Sequence, residues 1–255
     1  MTRAATLNER GVARGRECSD ERLGRPTRSR MNAPSHIGFR LATLAFAVLL
    51  GVQCIWLLLA ELSRPNLIRL PTEAQAAAAA VEQRSDAAWA AWIGSIRGDL
   101  WAESAFTYAD LLWTGTDPDQ MKSLERARAR LDYALDDAPH QAGAWLLLAG
   151  LASRYHWPNL NATEALKMSY FTGPSDEALM PLRLRVAAAS EAIGDTDVQE
   201  LVRRDLRLLL AQKRKSAVAE AYAGASPAGK RLIEGAVGEI DPSNLESLRV
   251  GTQKP

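Results

Sequence analysis

Residues 127–139, ARARLDYALDDAP, and residues 162–174, ATEALKMSYFTGP, carry one pattern twice. Ala127, Leu131 and Ala134 precede Pro139 at the same distances as Ala162, Leu166 and Ser169 precede Pro174, and 35 residues separate the two prolines. Past each proline, Ala144, Leu147, Leu151 and Ala152 align with Leu179, Leu182, Val186 and Ala187, so apolar positions recur in the next segment at helical spacing. Repeats of about this length are paired helices that bury their apolar faces on neighbouring pairs.

Around these strings the chain reads as all-α. Sustained alternation of Val, Ile, Thr or aromatic residues is nearly absent, and Gly and Pro fall between segments of helical period. The expected breaks lie at residues 115–118, Pro139, Trp157-Pro158, Gly173-Pro174, Gly194-Asp195, residues 224–227 and Asp241-Pro242. Asp197 with Glu200 reads as a capping box, and Pro227 after Ser226 suits a first helical turn. Pro181 should delay or kink the helix it enters. Trp89, Trp92, Ile93, Ile96 and Leu100 recur at three- and four-residue spacing, which predicts a face that packs inward.

The small, large, small, proline string resembles the second helix and closing turn of a tetratricopeptide repeat. Trp145 and Leu148 follow Pro139 as that family's next first helix does, and Trp101, Ala105 and Tyr108 resemble an earlier one. The resemblance covers residues 101–189. Two departures stand against it: about ten extra residues, including residues 114–120, interrupt the first unit, and Arg183 occupies a leucine position. The resemblance implies stacked hairpins forming a concave surface for a partner protein. An ordinary antiparallel bundle is the alternative.

Residues 41–60, LATLAFAVLLGVQCIWLLLA, are uncharged and, as a helix, rise about 30 Å, the thickness of a bilayer's hydrocarbon layer. Nine arginines precede this run, whereas Arg64, Arg69 and Glu61 follow it closely, so the amino terminus is expected in the cytoplasm and the remainder outside. A cleaved signal would need a shorter apolar core and a nearby A-x-A site; Ala74-Gln75-Ala76 lies far downstream. The expected organisation is a disordered tail over residues 1–36, with Met31 as a second possible start, and a transmembrane helix over 37–62. A linker with the start of a long helix capped by Thr72 follows over 63–84, and a periplasmic helical domain over 85–255. Cys18 and Cys54 lie where no bridge can support that domain. The Arg and Ala bias points to a GC-rich bacterial source.

Formal charge is +1, with 31 basic and 30 acidic residues, so no long-range field favours nucleic acid. Residues 224–230, GASPAGK, outline a phosphate loop, but Arg231 stands where Ser or Thr would hold magnesium and no strand precedes it. His36, His140 and His156 have no metal-ligand spacing, and Asp117, Asp119, Asp136 and Asp137 read as turn residues. No catalytic, metal or cofactor residue is assigned, and the chain is not read as an enzyme. The expected role is an inner-membrane scaffold or adaptor, of the kind that serves envelope assembly, that touches lipid through residues 41–60 and an envelope protein through its helical domain. Candidate partner-binding residues are Tyr108, Tyr155, Trp157, Tyr170 and Phe171, with Arg203 and Arg207 from a basic strip that also includes Lys213, Arg214 and Lys215. A periplasmic enzyme or ligand-binding domain on the same scaffold is the competing reading.

Overall fold

The computed structural model describes residues 36–62, 83–115, 119–240 and 242, and all regular structure among them is helical. The tail with Met31, the Pro65 to Pro71 linker and the Thr72 cap lie outside the described residues. Contacts divide the chain between Val48 and Leu49, and the first unit contributes only the start of one helix to the described residues.

Helix α1, His36–Leu62, holds the apolar run and has a mean hydropathy of 2.3, long and apolar enough to cross a membrane. Its side chains, Cys54 included, are exposed until Ala60, which is buried against Ala90, Ala91 and Leu100.

Helix α2, Arg84–Ile93, buries only its alanines, Ala87, Ala90 and Ala91. Here the predicted inward face holds only in part: Leu100 is buried and Ile93 half-buried, but Trp89, Trp92 and Ile96 are 56%, 65% and 79% exposed. The period of the large residues runs across a break, because the chain turns at Gly94 and a new helix, α3, spans Gly98–Thr114. A Cβ on Gly98 would lie 2.5 Å from the Ala134 carbonyl oxygen, so this break also admits the end of helix α4, Gln120–Asp137.

Every residue of α3 from Ala102 to Asp110 is buried, and α3 packs most extensively on α4, then on α2. Helix α5, Ala142–Tyr155, pairs closely with α6, Ala162–Thr172. The aligned positions of the repeat face inward: Ala127, Leu131, Ala134, Ala144, Leu147, Leu151, Leu166, Ser169, Leu179, Val186 and Ala187 are all buried. Ala162 and Leu182 are half-buried. Asn161 caps α6 by accepting from the Thr163 and Glu164 amides. His156 ends α5 in the left-handed region at φ 47°.

Helix α7, Met180–Ala189, starts with Pro181 in its first turn, where the missing amide costs nothing. A 3-10 turn, Glu191–Gly194, leads to α8, Thr196–Ala211. The cap of α8 is Asp195, which accepts from the Asp197 and Val198 amides; the predicted Asp197 box starts two residues late. The basic strip read from the sequence also divides. Lys213, at φ 60°, turns the chain into α9, Lys215–Ala223, so the basic residues straddle two helices.

Helix α10, Pro227–Ile240, begins where Ser226 and Pro227 predicted. Its Gly229 abuts the Ala188 carbonyl so closely that a Cβ would overlap it, and the Ser226 amide and hydroxyl donate to that same oxygen at 2.9 and 3.0 Å. The glycine of the phosphate-loop look-alike is thus a helix-packing residue.

Candidate functional site

Helix α3 presents its last aromatic, Trp113, between two arginines from other helices. Arg154 near the end of α5 stands 5.6 Å from the ring and Arg185 of α7 stands 5.5 Å from it. Gly150 makes this possible, since a Cβ there would meet the indole at 3.0 Å and Val186 at 3.4 Å. Glu220, Ala223 and Gly224, from the end of α9, complete a cleft of about 500 Å³.

Beneath the cleft, Arg185 is 8% exposed and faces Asp110 of α3. Burial pushes the Asp110 carboxyl up to about 8, against the pull of Arg185 and Arg84. Burial thus favours the neutral carboxyl, and the charged side chains that line the cleft are Arg154, Arg185 and Glu220. Such a surface suits a carboxylate or an acidic side chain with an apolar neighbour.

A second buried charged set lies at the Leu position of the repeat. Arg183 is fully buried, donates through Nε to the Ser169 hydroxyl at 3.0 Å and through a terminal nitrogen to the Ser169 carbonyl, and lies 4.8 Å from the Tyr170 ring. Burial pushes Asp205 of α8 up to about 6, opposed first by the Arg183 guanidinium. Burial also lifts the Tyr170 hydroxyl well above its usual value. Enclosed by α6, α7 and α8, this set has a structural role.

The predicted binding residues do not converge. Tyr108 and Tyr170 are core residues, 6% and 4% exposed, and Arg84 covers the Tyr108 ring at 4.2 Å. Tyr155 is half-buried, donating to the Leu112 carbonyl at 3.0 Å and accepting from Gln120 at 2.9 Å. Trp157 borders a separate depression of about 320 Å³ with His156, Asn161 and Glu191, under Arg128 at 5.4 Å. Phe171 is 76% exposed on α6. On α8, Arg207 is exposed and Arg203 pairs with Glu200 at 2.7 Å.

Sequence reasoning missed Trp113, Arg154, Arg185 and Glu220, which come from four helices and share no local spacing. Asp205 did leave a signal: it lies on the same helical stripe as Val198, Val202, Leu206 and Leu209, all buried. No protein-family model, curated protein or solved structure matches this chain.

Proposed function

We propose that this chain is a single-pass inner-membrane protein of a bacterial envelope whose helical, tetratricopeptide-like domain lies in the periplasm and holds a partner protein. Helix α1 supports the anchor through its length and apolarity, and the arginines ahead of it support an inward amino terminus. The observation that carries the adaptor reading is the Trp113 cleft. Four helices contribute to its walls, and its recognition groups are an indole, two guanidiniums and one carboxylate. In this reading an acidic segment of the partner lays a carboxylate against Arg154 and Arg185 and an apolar group on Trp113.

The competing reading, a ligand-binding or catalytic domain, draws on Asp110, a carboxyl that titrates near neutrality below the cleft. One experiment separates them. A photo-crosslinking residue at Ala189, on the cleft wall, is introduced into the full chain in intact cells, alone and with Trp113→Ala and Arg154→Glu. The adaptor reading expects one recurrent protein adduct that both substitutions abolish. Adduct formation that ignores both substitutions, or a purified chain whose turnover of an envelope substrate depends on Asp110, defeats it. Fusion of periplasm-active and cytosol-active reporters at the carboxyl end tests the topology separately.

A further inference from the structure

Four of the seven tryptophans gather around one turn, residues 93–95, where α2 gives way to α3. The Trp56 indole of α1 donates to the Ile93 carbonyl. The Trp101 indole of α3 donates to the Ser95 carbonyl at 3.0 Å and lies tilted against Tyr133 of α4, with ring centroids 5.0 Å apart and planes at 31°. Trp89 and Trp92 stack on each other at 5.1 Å and, with Ile96, point outward. Such a cluster of exposed rings has no explanation within the domain, which buries only the alanines of α2.

The position of this turn along α1 identifies what covers it. Trp56 precedes Ala60, the last residue of the apolar run, by four residues, or about 6 Å of helix. The Ile93 carbonyl is therefore held below the end of the apolar stretch, at a depth where the free carbonyls of a helix end lack water. The Trp56 N–H supplies the donor. One turn further along α1, Glu61 meets Arg97 at 2.9 Å, and Arg97 also meets Asp99 at 2.6 Å, forming a charged layer just beyond the apolar one. Arg130, 4.9 Å from the Trp101 ring, adds a further cation.

Tryptophan and tyrosine with arginines alongside concentrate where acyl chains give way to headgroups. We infer that the α2–α3 turn is seated in the outer interface of the membrane, with Trp89, Trp92 and Ile96 in contact with lipid. The inference rests on the reading of α1 as a membrane anchor and adds a second lipid contact that fixes the helical domain against the bilayer. Its occupant is a lipid surface and not a second chain, because the patch is continuous with the lipid-facing side chains of α1 through Trp56 and Ala60.

The test uses the full chain in vesicles of phosphatidylcholine and phosphatidylglycerol, with an environment-sensitive fluorophore on single cysteines and nitroxide-labelled lipids as quenchers. Three labels are compared: native Cys54 in a Cys18→Ser chain, and Ile96→Cys or Glu239→Cys in a chain lacking both native thiols. The expected result is that Cys54 is quenched best by a nitroxide deep in the acyl chain. The label at 96 is quenched by a nitroxide near the headgroup about twofold or more above the label at 239, as an interfacial position requires. Trp89→Ala with Trp92→Ala should reduce that quenching. A label at 96 that escapes quenching while Cys54 is quenched overturns the inference and leaves the anchor intact. An unquenched Cys54 overturns both. Energy transfer between labels at 96 on different chains, without lipid quenching, assigns the patch to a second copy and also overturns the inference.

Discussion

Arg183 donates to both the hydroxyl and the carbonyl oxygen of Ser169, and these two residues stand 35 positions after Leu148 and Ala134. The repeat thus departs from its apolar pattern twice, in two helices, and the two departures meet. A buried guanidinium is costly unless its donors are satisfied. Ser169 accepts from Nε and one terminal nitrogen, Asp205 and the Tyr170 ring supply charge and a π face, and the other terminal nitrogen finds no hydrogen-bond partner among the described residues. Gly173 completes the fit, since a Cβ there would lie 2.7 Å from Ala142 and 3.3 Å from an Arg183 nitrogen.

Arg183→Leu alone strips Asp205 of the cation that pulls on it most strongly and should destabilise the chain. Paired with Ser169→Ala, which restores the pattern of the preceding unit, the loss should be smaller than the sum of the two single changes. A coupling of about 1–2 kcal/mol is expected for residues in such contact. A double-mutant cycle from chemical unfolding of the detergent-solubilised chain measures it, and additive effects would show that the pair does not act together.

Asp110 and Asp205 give stability a pH dependence of definite sign. Both carboxyls titrate in the folded chain above the ordinary value near 3.8, at about 8 and about 6, so the folded state keeps protons that the unfolded state releases. Their contribution is full below about pH 4 and is lost as pH rises through about 6 and then about 8. Asp195 acts oppositely. Lys167, then the Val198 amide, hold its carboxyl below the usual range, so its contribution is present above about pH 4 and lost on acidification. Melting temperature should therefore decline from about pH 5 to pH 8, and Asp110→Asn should flatten the upper part of that decline. An unaltered slope in that variant would show that Asp110 is already ionised at neutral pH.

Gly229→Ala tests the packing of α10 on α7. The added methyl meets the backbone of Ala188, which cannot move as a side chain can, so a loss of about 1–3 kcal/mol is expected. Gly235→Ala, where a Cβ meets nothing within 4 Å, should be neutral or slightly stabilising. Thermal unfolding of the two variants side by side reads the difference. Equal melting temperatures would mean that α10 is not docked through Gly229.

Asp195→Ala should lower the melting temperature more than Asp197→Ala. The first removes the carboxylate oxygen that accepts from two amides at the start of α8 and the partner of Lys167 at 2.8 Å, whereas the second removes an exposed carboxylate. The reverse order would restore Asp197 as the cap.

Helical breaks were legible where a proline or glycine coincided with the end of an apolar period, as at Pro139, Gly173 and Ser226-Pro227, because these residues act on the backbone locally. The break at Gly94 was obscured by large apolar residues whose spacing continued through it. The turn at Lys213 was hidden because it uses a lysine at positive φ, where glycine or asparagine is the ordinary signal. Cap position was shifted by two residues at α8 because Asp195 and Asp197 have the same chemistry and only the backbone path chooses between them.

Local pattern by itself determined the helical class, the 35-residue recurrence of buried positions and a segment long enough to cross a bilayer, since each depends on neighbours within a few turns of one helix. Tertiary structure alone decided which charges lie inside and which rings lie outside. Arg183 and Asp110 are enclosed and Trp89 and Trp92 exposed because burial is set by what distant helices bring against a side chain. The Trp113 cleft arises in the same way, from four helices that meet only when the chain is folded.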